Sequence, residues 1–154
     1  MAPVPPNRRG IMEEDPLKLW QHVHGASVHF PVALAVVSAL FDLGALALRR
    51  DTFRTVGFWC LIAATVVAVP ALLSGLAGQL GWFGIEKWEA ENLIRHRNLA
   101  FVCSGALLVL SVWRIAARDR ASTGARVLQI LIAVAAATSA GWTGYLGAYV
   151  ARGY

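Results

Sequence analysis

The chain has 154 residues, of which 57% are hydrophobic and only 15% are charged, and its formal net charge is +5. A soluble domain carries about 25% charged residues, so this chain either has a very apolar interior or is solvated by lipid, and the lengths of its apolar segments decide between the two. The positive charge does not indicate nucleic-acid binding, because the basic residues lie at the ends of apolar segments and form no basic recognition helix.

The first 15 residues include three prolines and five charged side chains. They lack the apolar stretch of a secretory signal, and we predict that residues 1–15 form a disordered tail. A short interfacial helix is predicted next. The pair Asp15-Pro16 has the form of a helix start, Gly25 that of a helix stop, and Leu17 and Trp20 supply an apolar side.

Four apolar segments follow that are long enough, or nearly long enough, to cross a hydrocarbon core about 30 Å thick as α-helices. They show no period-2 alternation, which excludes the strands of a membrane β-barrel. We therefore predict an all-α integral membrane four-helix bundle with short interfacial helices. Within a domain of residues 16–154, the spans are expected at about residues 28–49, 54–83, 94–116 and 125–151. A second interfacial helix, at residues 85–94, would join the second and third spans.

An even number of spans places both termini on the same side of the bilayer. Lys and Arg are divided equally, with seven on each side, so their number alone does not decide the orientation. The connections at residues 49–54 and 114–126 are short and poor in acids, whereas the other side carries six acids. We therefore expect these connections in the cytoplasm and both termini in the periplasm of a bacterial inner membrane.

All four histidines fall at the same end of the predicted bundle. His22, His24 and His29 lie where the first span begins, and His96 where the third begins. A b-type haem in a helical bundle takes two neutral imidazoles from different helices. We therefore predict a small redox subunit that binds haem b between the first and third spans, with His96 as one ligand and His29 or His24 as the other.

The second and fourth spans end at this same level in glycine-rich sequence, which would leave room for a macrocycle. Ala140, Gly144 and Ala148 form a stripe of small residues along one helix face. Aromatic side chains expected to pack around the ring are Phe30, Trp82, Trp142 and Tyr145.

Other interpretations stay open. His24 and His29 would point about 140° apart on a continuous helix. A break near Gly25, with Ser27 capping a new helix and Pro31 in its first turn, would relax this. In that case His24, His29 and His96 could form a copper or zinc site.

Stripes of small residues also pack helices without any cofactor. A cofactor-free structural or assembly subunit of a larger membrane complex, or a homo-oligomer, is therefore an equal alternative. No catalytic triad, phosphate loop or C-x-x-C pair is present, so we do not expect an enzyme acting on its own.

Asp42 is the one acid within a predicted span. It is either a proton relay or ion site, or it pairs with Arg49 or Arg50 about two helical turns away. Arg97 and Arg114 flank the short third span and are expected to snorkel to the two interfaces.

The two cysteines, Cys60 and Cys103, are expected at opposite depths of the bundle, too far apart for a disulfide. A covalently attached c-type haem is excluded because the sequence contains no C-x-x-C-H motif.

The run His24-Gly25-Ala26-Ser27-Val28-His29-Phe30-Pro31, followed by an aliphatic helix bearing Asp42, resembles a bacterial membrane family known as domain of unknown function 2231. The resemblance continues at His96-Arg97-Asn98 and at Gly144-Tyr145-Leu146-Gly147, and it covers the chain from about residue 20 onward.

This resemblance implies a four-helix membrane unit in a redox setting, because such proteins are sometimes joined to Rieske-type iron–sulfur domains. The family's polar positions correspond here to His24, His29, Asp42, His96 and Asn98. One departure concerns the end of the second span, where an acid is common in the family and this chain has Gly78-Gln79-Leu80-Gly81.

Overall fold

The computed structural model describes residues 16–80, 91–117 and 120–151, and these residues form four α-helices. The helices are α1 (Pro16–Leu48), α2 (Asp51–Gln79), α3 (Glu91–Ala117) and α4 (Thr123–Ala151). The described ranges contain no strand. Each helix is long and apolar enough to cross a membrane, which confirms the predicted all-α membrane four-helix bundle.

The helices pack as a four-membered ring. α1 packs against α2 and α4, and α3 packs against the same two helices, so α1 and α3 lie across one diagonal of the bundle. The first residues of α1 and α3 lie at the same end of the bundle as the last residues of α2 and α4. We call this end, which contains His24 and His96, the histidine end. The opposite end contains Arg54 and Arg114, and we call it the arginine end.

The core of the bundle consists mainly of small side chains, while large apolar side chains face outward. Leu40, Val66 and Val102 are 61%, 63% and 66% exposed, respectively. Lipid gives no hydrophobic drive for helix association, so small residues that let the backbones approach are favoured inside. The inner cluster comprises Ala35, Ala39, Leu61, Ala64, Leu107, Leu110, Ala133, Ala136 and Ala137.

α1 continues without interruption through Gly25, so the predicted helix stop and the break at that position are wrong. The Ser27 hydroxyl caps no new helix, because it donates to the His24 carbonyl oxygen at 2.8 Å. Pro31 lies inside α1 rather than in a first turn. One glycine costs a helix only about 1 kcal/mol relative to alanine, which is too little to end it within a long helical segment.

The first predicted interfacial helix is therefore the beginning of α1. With 33 residues and a rise of 1.5 Å per residue, α1 is about 50 Å long and exceeds the hydrocarbon core by several turns. Of the second predicted interfacial helix, residues 91–94 form the first turn of α3, and residues 85–90 lie outside the described residues. The predicted tail, residues 1–15, also lies outside them.

Only Arg49 and Arg50 connect α1 to α2. Arg49 adopts a left-handed backbone conformation with φ of 53°, at the position after a helix where glycine is usual. This conformation ends α1 and allows α2 to begin directly at Asp51.

Candidate functional site

His24 projects from α1 toward α2 at the histidine end. Its Nδ1 atom lies 2.8 Å from the Ser74 hydroxyl oxygen. Trp20, one turn earlier, stacks on the imidazole with the ring centroids 5.4 Å apart. The indole N–H of Trp20 donates to the Ser74 carbonyl oxygen at 3.0 Å. Two side chains of α1 thus bind the same residue of α2, which fixes the plane of the His24 ring.

Glycines of α2 provide the space for these two rings. A Cβ atom added at Gly75 would lie 3.1 Å from His24 Cε1, and one added at Gly78 would overlap the Trp20 indole. The glycine-rich end of α2, where space for a macrocycle was expected, therefore accommodates side chains of α1.

His96 projects from α3 toward α4 in a similar way. Its Nδ1 atom lies 2.9 Å from the Thr143 carbonyl oxygen, and a Cβ atom added at Gly147 would lie 3.0 Å from His96 Cε1. Thr143 is buried and its hydroxyl donates to the Ser139 carbonyl oxygen at 2.8 Å. A carbonyl oxygen on a neighbouring helix thus orients the second imidazole.

The hydrogen bonds determine which ring nitrogen carries the proton. A carbonyl oxygen can only accept, so Nδ1 of His96 donates to Thr143. The Ser74 hydroxyl gives its single hydrogen to the Ala71 carbonyl oxygen at 2.9 Å, so it accepts from Nδ1 of His24. In their neutral forms both imidazoles therefore carry a lone pair on Nε2, and neither Nε2 atom is hydrogen-bonded to a described residue.

The two imidazoles belong to α1 and α3, which lie across the bundle diagonal, and both lie at the histidine end. The histidine end therefore holds two oriented nitrogen donors that come from different helices. This is the donor set that bis-histidine ligation of a haem iron requires.

His29 takes no part in this pair. It is exposed, and its Nδ1 atom forms a hydrogen bond with the Gly25 carbonyl oxygen of its own helix. Because α1 is continuous, His24 and His29 project in different directions. The described residues hold no group of three or more His, Cys, Asp or Glu side chains that could bind a metal ion. The copper or zinc site of His24, His29 and His96 is therefore not assembled in this part of the chain.

The remaining predicted site residues lie on the outside of the bundle. Asn98 is exposed, and its side-chain oxygen accepts a hydrogen bond from Arg97. Trp142 is 59% exposed and packs against Tyr145. At Gly144, an added Cβ atom would meet no described atom of a neighbouring helix within 4 Å. Phe30 and Tyr145 are also exposed, and Trp82 lies outside the described residues.

Ser74 and Thr143 were not predicted as partners of the histidines, and Trp20 was expected only on the apolar side of an interfacial helix. A weak signal was present, since Ser74 and Thr143 are hydroxyl residues beside Gly75 and Gly144 near the ends of their spans. No spacing rule connects residues on different helices, so the pairing itself was not predictable.

A second polar cluster lies at the arginine end. Asp42 of α1 accepts two hydrogen bonds from Arg114 of α3, at 2.6 and 3.0 Å, and these side chains are only 5% and 9% exposed, respectively. The prediction that Asp42 pairs with Arg49 or Arg50 is therefore wrong, and so is the prediction that Arg114 snorkels. The pair forms because α1 and α3 face each other across the bundle. The bidentate bond favours the paired role of Asp42 over a proton relay.

Cys60 and Cys103 are both free thiols in the structure. Cys103 is buried, and its sulfur lies 3.8 Å from the Thr143 hydroxyl oxygen. This contact adds to the packing of α3 on α4 near His96.

A family model described as a predicted membrane protein, DUF2231, matches residues 21–154. No curated protein and no solved structure matches the chain. The matched region contains both anchored histidines and the buried ion pair, and it includes α2, α3, α4 and most of α1. The chain therefore belongs to DUF2231, a family of predicted membrane proteins.

Proposed function

We propose that this protein is a membrane redox subunit that binds one b-type haem through the Nε2 atoms of His24 and His96. The observation that supports this proposal is the orientation of the two imidazoles. Each donates its Nδ1 hydrogen to a neighbouring helix, and each keeps the Nε2 lone pair at the same end of the bundle.

This arrangement follows a common feature of metal-binding histidines. Such a histidine donates its other ring N–H to a carbonyl, carboxylate or water, which fixes the tautomer and the ring direction. Ser74 and Thr143 take that supporting role here, and Gly75 and Gly147 leave space for the rings. The proposal selects His24 as the partner of His96, because His29 is exposed and bonded to its own helix.

A bound haem would supply one-electron redox chemistry, and the chain's own residues would hold and orient its ligands. Electron transfer needs a donor and an acceptor in addition to this site. We therefore propose that the protein works within a larger membrane complex, and its outward-facing large apolar side chains are suited to contacts with lipid or with other membrane helices.

The test is a reduced-minus-oxidised visible spectrum of the purified full-length protein, with metal analysis of the same sample. Wild type is expected to show the sharp bands of a b-type haem. His24→Ala and His96→Ala are each expected to lose those bands, because each removes one of the two proposed ligands. His29→Ala is the matched control and is expected to keep them.

Bands that survive in His96→Ala would exclude His96 as a ligand. Loss in His29→Ala with retention in His24→Ala would assign the second ligand to His29. A folded wild-type protein without colour or metal would contradict the proposal and favour a cofactor-free structural or assembly subunit. Copper or zinc without haem bands would favour the metal-site alternative.

We also propose that the protein lies in a bacterial inner membrane with the histidine end facing the periplasm. The short basic connection at Arg49 and Arg50 supports a cytoplasmic arginine end. Alkaline phosphatase fused after Tyr154 is expected to be active, and the same enzyme fused after Arg50 inactive. The opposite pattern of phosphatase activity would place the histidine end in the cytoplasm.

A further inference from the structure

Two adjoining cavities at the arginine end share a polar lining. One has a volume of about 160 Å³ and the other about 470 Å³. Both are lined by Arg54, Arg114, Arg126 and Gln129. These residues come from three different helices, so the cavities lie within the bundle end rather than along one helix surface.

The cavity lining includes Gln129, whose side-chain amide is buried. Gln129 is only 9% exposed, and its Nε2 atom is fully buried without a hydrogen-bond partner in the described structure. A buried polar group without a partner carries a desolvation cost, and such groups are rare in folded proteins. An amide nitrogen can only donate, so a group that satisfies Gln129 Nε2 must be a hydrogen-bond acceptor.

The charges around the cavities favour an anion as that acceptor. Among the described residues, three arginines and no acid line the smaller cavity. Asp42 lines the larger one, but both its carboxylate oxygens already bind Arg114. Asp51 also lines the larger cavity, where its carboxylate is 96% exposed and 3.8 Å from Arg54.

The helix directions add to this positive field. α2 and α4 both begin at the arginine end, and Arg54 and Arg126 lie in their first turns. The start of a helix carries a partial positive charge and favours anions.

We propose that these cavities bind a phosphate group, supplied either by an anionic lipid headgroup or by free phosphate. A rotation of the Gln129 amide toward the cavities would let Nε2 donate to one phosphate oxygen, with the positive charge of Arg54 and Arg126 beside it. A phosphate offers several strong acceptor oxygens, which suits the arginine and glutamine donors in the lining. Basic pockets between membrane helices are suited to lipid phosphates at this depth. This site is independent of the proposed haem site at the other end.

The test measures thermal unfolding of the delipidated full-length protein in neutral detergent. Phosphatidylglycerol, phosphatidylcholine and inorganic phosphate are added separately. Phosphatidylglycerol or inorganic phosphate is expected to raise the unfolding midpoint of the wild type, and phosphatidylcholine to have much less effect. Gln129→Leu is expected to weaken the apparent affinity about tenfold, the size expected for a lost hydrogen bond to a charged group.

Two further variants keep the test conclusive. Gln129→Glu keeps a similar shape but places a carboxylate beside the arginines, so it is expected to fold and to lose the response. Gln79→Leu changes a glutamine at the opposite end of α2 and is the matched control, which is expected to respond like the wild type.

A response to phosphatidylglycerol alone would identify the lipid headgroup as the source of the phosphate, and a response to inorganic phosphate would identify free phosphate. Without ligand, Gln129→Leu is expected to be at least as stable as the wild type, because it removes the unpaired amide. The proposal is overturned if the wild type responds to neither anion, or if the Gln129 variants respond as the wild type does.

Discussion

Asp42→Asn is expected to lower the free energy of unfolding by about 3–5 kcal/mol, because it leaves a charged guanidinium buried without its counter-ion. Asp42 and Arg114 are 5% and 9% exposed, and two hydrogen bonds join them. Arg114→Leu is expected to cost a similar amount for the converse reason. Reversible unfolding in mixed micelles, followed by circular dichroism, measures both losses.

The double variant Asp42→Leu with Arg114→Leu is expected to recover much of the lost stability. Replacing a buried ion pair by apolar side chains is often neutral or stabilising, since neither charge then needs to be desolvated. Asp51→Asn is the matched control, because Asp51 is almost fully exposed beside Arg54, and we expect a change below about 1 kcal/mol. Equal small changes for Asp42→Asn and Asp51→Asn would contradict a buried, coupled pair.

Gly57→Ala is expected to cost about 2–3 kcal/mol, near the upper range for overpacking a core. A Cβ atom at Gly57 would lie 2.5 Å from a carboxylate oxygen of Asp42 and 3.2 Å from the Ser38 carbonyl oxygen. The Ser38 hydroxyl also donates to the Gly57 carbonyl oxygen at 2.8 Å. An added methyl group must therefore push α2 away from α1 at the level of the ion pair.

Gly105→Ala is the matched control for this substitution. An added Cβ at Gly105 meets no described atom of a neighbouring helix within 4 Å, and alanine favours a helix over glycine by about 1 kcal/mol. The same unfolding measurement is therefore expected to show opposite signs for the two variants. A stabilised Gly57→Ala protein would show that α1 and α2 are not in close contact at this point.

The number and nature of the helices were predictable from the sequence, because both are local properties. Four apolar segments of nearly sufficient length allow no other arrangement in lipid, where every backbone polar group must be bonded within its own helix. The prediction that the histidines of the first and third spans lie at one end of the bundle was possible because these two spans run in the same direction. The helix stop predicted at Gly25 was wrong, because the free energy that one glycine costs a helix is too small to end α1.

The pairing of side chains between helices was decided only by the tertiary structure. A helix surrounded by lipid and other helices is apolar on all sides, so its sequence carries little information on which face turns inward. Only the packing of small residues sets that rotation. It turns His24 toward Ser74 and leaves His29 outside. It also brings Arg114 to Asp42 across the diagonal and buries the Gln129 amide without a partner.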